Sequence, residues 1–515
     1  MNEAGVSRGV AGGGAARRLL ARLQTMRGVS FPDAPAVGVR DPWPGDPGRG
    51  VALVKGELAL AGAALGFAWL RDLRALGTDA ARSRARALVG EFLDSGAAQP
   101  QAQRPDVAGA RIAAWLGHYD FFAASADDDF RQRLMSRLVV DARALAAALP
   151  AEARDGRALT ALKGLFAAAA AMPEHAPYLT RAQKFLGQEI AAQVLADGCH
   201  VERSPAAHLA ALQDLTEIRA ALQIGGAAAP EALAGAIERM ALALRAMRHG
   251  DGGLGLFNGS REELATLIDL VLSQAGRAGR ASFSLTAAGL YRLAAGKSLV
   301  MVDAGAPAAA GLDRFAHAGT LAFEFSVGKE RLIVNCGAAP AGSAAWRDAL
   351  RATAAHSTLV IADVSSAELR ESGLGRRPAE VTAHRQEAGG AHWLEASHDG
   401  WRRIFGAVHH RRLYLAESGE DLRGEDLLRA AQPQPFAIRF HLHPAVTASL
   451  QHDNGAALLR LPSGQGWRLR AEGAAIRLEE SVYFGLNEPR RAEQIVLVGH
   501  QDGPQQVKWA ITKLG

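Results

Sequence analysis

Cysteine is almost absent: Cys199 and Cys336 are the only two in 515 residues. Two thiols exclude a disulfide-stapled scaffold, and they lack the paired spacing of a zinc site. Tyrosine is scarce as well, present only at Tyr119, Tyr178, Tyr291, Tyr414 and Tyr483, so chemistry that needs a phenol has few donors to choose from. No apolar run reaches the roughly 18 residues of a membrane-crossing helix, since Gly56 to Leu70 is short and bounded by charges. The first residues carry arginines but neither a continuous apolar segment nor a small-residue cleavage site. With no signal peptide to read, the cytoplasm is the expected compartment. No repeat of fixed period is visible, which argues against a TPR- or HEAT-like array.

What is present is globular: 49% hydrophobic and 22% charged residues, in a chain long enough for two or more domains. The formal charge of +5 is modest and mostly arginine. It is no nucleic-acid signature; it suits an anionic ligand such as an acidic polysaccharide, and equally well no particular ligand.

Three regions follow one another. Residues 1–50 are rich in glycine, proline and arginine and read as a flexible basic leader. Residues 51–280 have a helical texture, with nine predicted helices near 52–74, 79–95, 106–124, 127–149, 158–172, 178–196, 205–223, 230–248 and 260–276. In the fourth, Phe130, Leu134, Leu138, Ala142 and Leu145 recur at helical spacing, and the acidic triplet Asp127 to Asp129 reads as its cap rather than a catalytic group. Short turns between helices predict antiparallel hairpins wound into a bundle or toroid. Residues 281–515 alternate with period two. In TLAFEFSVG, Leu321, Phe323, Phe325 and Val327 point one way; in PFAIRFHLHP, Phe436, Ile438, Phe440 and Leu442 do. Many short strands without intervening helices predict an antiparallel β-sandwich.

Four stretches could carry chemistry. RATAAHSTLVIAD places His356 at the mouth of a buried strand, where an imidazole suits proton transfer near neutral pH, and where it can equally be a histidine satisfied by backbone groups at a strand end. DGCHVERSPAAHL crowds His200, Glu202, Arg203 and His208 onto an interhelical loop, with Ser204 as a helix cap. RHGDGGLGLFNGS follows a helix and lacks the P-loop lysine; its backbone can approach a ligand, and Asn258 can present an amide. His441 and His443 share one strand face at metal-ligand spacing, but no third ligand lies nearby, and the polar face of a sheet explains them.

ERSPAAH, GLYRLAAGKSLVMVDAG, NCG and RATAAHSTLVIAD, in this order behind a helical half, resemble the heparinase II/III family of polysaccharide lyases. The resemblance implies an incomplete (α/α) toroid followed by an antiparallel β-sandwich, and an acidic glycan as partner. It implies β-elimination at a uronate: the carboxylate is neutralised, the C5 proton removed and the departing O4 protonated, with no metal or organic cofactor. Residue by residue, His356 matches the histidine of the family's β-domain motif and His208 the one closing its SP-x-YH motif. Ala207 stands where that motif has its tyrosine, and Ala153 to Leu162 holds no counterpart of the toroid asparagine or histidine.

The assignment that follows gives proton transfer to His356 and His208. Carboxylate neutralisation falls to Arg203 or Asn258, and His200, Glu202 and Tyr119 complete the glycan contacts. Ala207 opens an alternative, a catalytically silent glycan-binding protein. A hydrolase on the same scaffold would need two facing carboxylates, and Glu202 is the only acid inside a matching motif. The family resemblance also points to the cell envelope, against the compartment expected from the N-terminal residues.

Overall fold

The computed structural model of the chain describes residues 31–58, 62–95, 99–276, 284–339, 343–451, 455–486, 488–501 and 505–515. Most of the expected leader, residues 1–30, and the expected boundary at 281 lie outside them. The described chain forms two compact units, one running up to Glu189 together with Asp214–Leu233, the other comprising Ile190–Gln213 and Ala234–Gly515.

The first unit is helical. Where one helix is expected over 52–74, the structure has two, Pro47–Lys55 and Leu70–Leu76. Asp46 accepts hydrogen bonds from the amides of Gly48 and Arg49 to start the first, and Gly56, at φ 74°, ends it in the left-handed conformation that glycine adopts freely. The segment before it is held in place, contrary to a leader extending to residue 50. Trp43 is buried and donates its indole N–H to Glu217 at 2.6 Å, and the Ala36 amide donates to Ala171 O. In the helix Asp128–Ala148, the Asp127 carboxylate accepts from the Phe130 amide at 2.8 Å, the capping role read from sequence. Leu134, Leu138, Ala142 and Leu145 are buried as their spacing requires.

Helices Pro105–Gly117 and Gly156–Ala171 cross at two glycines. A Cβ on Gly164 would lie 2.3 Å from Gly109 Cα, so only paired glycines permit the approach. Beside this crossing Lys163 reaches Asp214 at 2.6 Å and Glu217 at 3.3 Å.

The second unit contains a β-sandwich. In chain order its strands are β1 Leu290–Ala295, β2 Ser298–Asp303, β3 Phe323–Val327, β4 Glu330–Val334, β5 Leu359–Ile361, β6 Leu369–Arg370, β7 Gly373–Leu374, β8 Val381–Ala388, β9 Ala391–Trp401, β10 Ala407–Leu415, β11 Asp421–Arg429, β12 Gln434–Leu442, β13 Thr447–Leu450, β14 Ala456–Arg460, β15 Gly466–Glu472, β16 Ala475–Tyr483, β17 Arg490–Gln501 and β18 Gln505–Lys513. One sheet has the order β1-β2-β3-β4-β12-β17-β16, with β5 also on β12; the other runs β13-β14-β15-β18-β11-β10-β9-β8, and β6 pairs with β7 alone. Phe323, Phe325, Ile438, Phe440 and Leu442 pack with Trp467, Trp509 and Ile511 in one core between the sheets.

The other face of β3 is buried too. Glu324 accepts from His249 Nε2 at 2.8 Å and from the amides of Leu256 and Asn335, so the glycine-rich loop lies over the strand, anchored by a carboxylate. On β12, His441 binds Ser481 Oγ through Nδ1 and Ala354 O through Nε2, which commits both ring nitrogens. His443 instead faces Glu262 at 3.7 Å. Among the described residues no group of three histidine, cysteine or carboxylate side chains could hold a metal ion.

Candidate functional site

In the loop before the helix Pro205–Ile224, Gly198 at φ 85° turns the chain sharply, and Asp197 accepts from the amides of Cys199 and Ala288. The turn brings His200 back over the helix start, where its backbone N–H donates to His208 Nδ1 at 3.1 Å. The Nε2–H of His208 donates to Met240 O at 2.8 Å. Both nitrogens of His208 are therefore engaged, and burial pushes its pKa down to about 4. The His200 ring bonds Gln193 Oε1 at 2.9 Å, and Glu202, fully enclosed, accepts from Arg314 Nε at 2.9 Å. Ser204 accepts from the Ala207 amide as a cap, and the Ala207 methyl is buried in the first turn.

Arg203 and Asn258 both have left-handed backbones, at φ 54° and 48°, and both aim their side chains into the protein. The Arg203 guanidinium pairs with Asp303 and donates to Ala288 O at 2.5 Å and Ala306 O at 2.6 Å. The Asn258 amide donates to Asp303 Oδ2 at 3.0 Å and Arg203 O at 3.1 Å, and its oxygen accepts from the His317 amide. Two strained residues thus share Asp303, an acid at the end of β2 that burial forces into an ion pair. Neither Arg203 nor Asn258 presents an uncommitted group of the kind the sequence assignment asks of it.

His356 follows a short 3-10 turn, Thr353–Ala355, and enters the strand region in extended conformation. Its Nδ1 lies 2.8 Å from Ala352 O and its Nε2 lies 3.1 Å from His317 Nδ1. A carbonyl only accepts, so Nδ1 of His356 carries the proton and Nε2 offers a lone pair. His317 must then donate from Nδ1, which leaves its own Nε2 unprotonated; no hydrogen bond to that nitrogen is seen among the described residues. The rings meet edge to face, 5.2 Å apart at 81°. Burial depresses both pKa values, that of His356 to about 4 and that of His317 well below the usual imidazole range, with His356 and Arg351 adding to the second. The pair is neutral at physiological pH. A Cβ on Gly319 would meet His356 Cδ2 at 2.6 Å, so the glycine is what admits the ring.

The structure therefore joins Arg203, Asp303, Asn258, His317 and His356 in one hydrogen-bonded series, and sets His200, Glu202 and His208 in a neighbouring buried loop. Tyr119 belongs to the first unit, in the short helix Tyr119–Phe122, where burial raises its pKa. Asp303 and His317 were not singled out from sequence. Asp303 carries a signal, a carboxylate closing the apolar run Leu299 to Val302, which demands a buried cation. His317, in DRFAHAG, has no periodicity to mark it.

Two family models cover most of the chain: heparinase II/III N-terminus over residues 95–275 and heparinase II/III-like, C-terminal, over residues 277–510. FtsZ-localized protein C of Caulobacter vibrioides is 33% identical over 528 aligned positions, spanning 94% of this chain and 91% of that protein. Among solved structures, heparinase III superimposes with a TM-score of 0.76 at 13% identity, over 97% of this chain and 89% of that one. Heparan sulfate lyase HepC from Pedobacter heparinus gives 0.62 at 14% identity, over 87% and 76%. At these identities the two structures establish the fold, a helical toroid region followed by a two-sheet β-sandwich. With both models in register and a relative matched along nearly its whole length, the chain belongs to the heparinase II/III-like family.

Proposed function

We propose that this chain holds an acidic, uronate-bearing polysaccharide without cleaving it. The observation that carries this reading is Ala207. β-Elimination needs a group to take the C5 proton, a group to protonate O4, and a neutralised carboxylate. A buried methyl at the tyrosine position can move no proton. Its neighbour His208 has both nitrogens committed, and Arg203 is already paired with Asp303. The extent of similarity to FtsZ-localized protein C further supports localisation with FtsZ, as that relative's name states for it. The test is to incubate the purified protein with heparan, chondroitin, hyaluronan and alginate, following both binding and the ultraviolet absorbance of unsaturated uronate ends. Binding without absorbance growth is expected.

Elimination is the second reading, favoured by the unprotonated, unpartnered Nε2 of His317 backed by His356. Absorbance growth that disappears in both His317→Ala and His356→Ala would establish it over the first.

A further inference from the structure

The second sheet of the sandwich turns one face to the core and the other outward. A groove of about 590 Å³ lies on that outer face, across β9, β10, β11, β18 and β15. Strand register explains its contents. Trp393 pairs with Tyr414, Tyr414 with Arg423, Arg423 with Ala510, and Ala510 with Arg470. These five side chains form a single row at right angles to the strands, about 19 Å long at roughly 4.8 Å per strand. Ala510 keeps the floor low between two arginines.

The row has the chemistry of a sugar acid's partner. The Trp393 and Tyr414 rings lie 5.2 Å apart, Trp393 is 40% exposed, and the Arg423 guanidinium sits 5.9 Å from the Tyr414 centroid. Aromatic faces accept the apolar face of a pyranose, and guanidinium groups take carboxylates bidentately. The charge is complementary as well. The groove is lined by five cations, Arg412, Arg423, Arg468, Arg470 and Lys508, against two carboxylates, Glu425 and Glu472. Arg412 is paired with Glu395 and Glu425, and Arg423 with Asp421. Arg468, Arg470 and Lys508 make no ion pair among the described residues, but register sets Lys508 between Glu425 and Glu472, which leaves Arg468 and Arg470 as the cations facing the groove without a counter-ion. An anionic lipid surface would meet the same charges. The aromatics, however, lie along a groove instead of projecting as a wedge, which favours a polymer laid across the strands.

We propose that this face is a separate binding site for a carboxylate-bearing polysaccharide, with Trp393 and Tyr414 as the stacking platform and Arg470 as the main anion contact. The site is distinct from the His317–His356 region and does not depend on what that region does.

The test uses the full chain with alginate fragments, heparin, neutral dextran, and vesicles of phosphatidylcholine with phosphatidylserine. Hydrogen exchange locates whatever binds. Protection of β9, β10, β15 and β18 by alginate, with affinity reduced about tenfold by Trp393→Ala or Arg470→Glu, is expected. Both side chains are exposed, and unchanged melting will confirm that the variants fold. Protection confined to 197–209 and 351–358, with both variants binding as wild type, would overturn this site while supporting the reading above. Absence of binding to either acidic polymer would overturn both. Equal binding of dextran, or capture by vesicles alone, would overturn the assignment of a carboxylated glycan.

Discussion

At the scale of single residues, the histidines divide by what their ring nitrogens touch. His208 and His441 bond on both sides and act as buried pins. His356 also bonds on both sides, but one partner is His317, whose far nitrogen remains open. Diethyl pyrocarbonate, which attacks neutral imidazole, should therefore modify His317 and leave His356 untouched, as read by peptide mass spectrometry. In His317→Ala, His356 loses its cover and should become modified. Modification of His356 in the native protein, with His317 unmodified, would contradict the hydrogen-bond directions given above. The sequence made His356 visible because a β-branched and apolar run follows it. His317 stayed hidden because its role arises from a contact 39 positions away that no local pattern encodes. Arg203 and Asn258 looked like ligand groups for the same reason: their partner, Asp303, is 100 and 45 positions distant.

At the scale of elements, alternation revealed the strands whose inward positions are all apolar. It is clear in β3 and β12 and absent from β11, DLRGEDLLR, where Asp426 points inward. The reason is a buried ionic cluster. Asp426 accepts from His409 at 2.6 Å, from Arg411 Nε at 2.7 Å and from the Trp509 indole at 2.8 Å. Arg411 in turn donates to Leu321 O and Ser357 O. Asp426→Ala would leave Arg411 charged and unpaired in the core, a loss of about 3–5 kcal/mol measurable by urea denaturation. A loss under about 1 kcal/mol would show that the cluster is already open to water. The strand β8 lacks the alternation for another cause. It lies at the sheet edge with polar residues on both faces, so period two never develops. Among helices, the break at Gly56 was legible in principle, since a glycine after Lys55 is an ordinary stop, but the apolar run beyond it masked the signal.

At the scale of the whole molecule, the buried histidines make stability depend on pH in a stated direction. Burial brings His208 and His356 to about 4 and His441 to about 3. Below the unfolded value near 6.5, the unfolded chain binds protons that the folded chain refuses, so stability falls as pH falls, by about 1.4 kcal/mol per pH unit for each group. Together the three give about 4 kcal/mol per unit between roughly pH 6 and 5. Asp426 acts in a lower window. Arg411 and His409 hold its carboxyl well below the ordinary range, so its contribution is present above about pH 4 and is lost only as pH drops further. A urea midpoint that stays level from neutrality to about pH 5 would contradict the burial of these neutral rings.

Sequence pattern revealed the order of the two halves, helical then β, because each half keeps one hydrophobic period over long stretches. How the chain groups into compact units was not legible. The loop from Asp197 to Leu209 sits within helical sequence, yet it is tied to Ala288, Asp303 and Ala306 by hydrogen bonds that only folding reveals. A chain that holds acidic glycans but lacks the groups for elimination, as proposed, binds these polymers without cleaving them. The direct measurement follows unsaturated uronate absorbance and glycan binding together, on one preparation, across the acidic polysaccharide panel. Measurable binding to at least one polymer with a flat absorbance trace is expected. A rising trace that vanishes in His356→Ala would contradict it, and would mean that another group has taken over the chemistry that Ala207 cannot perform.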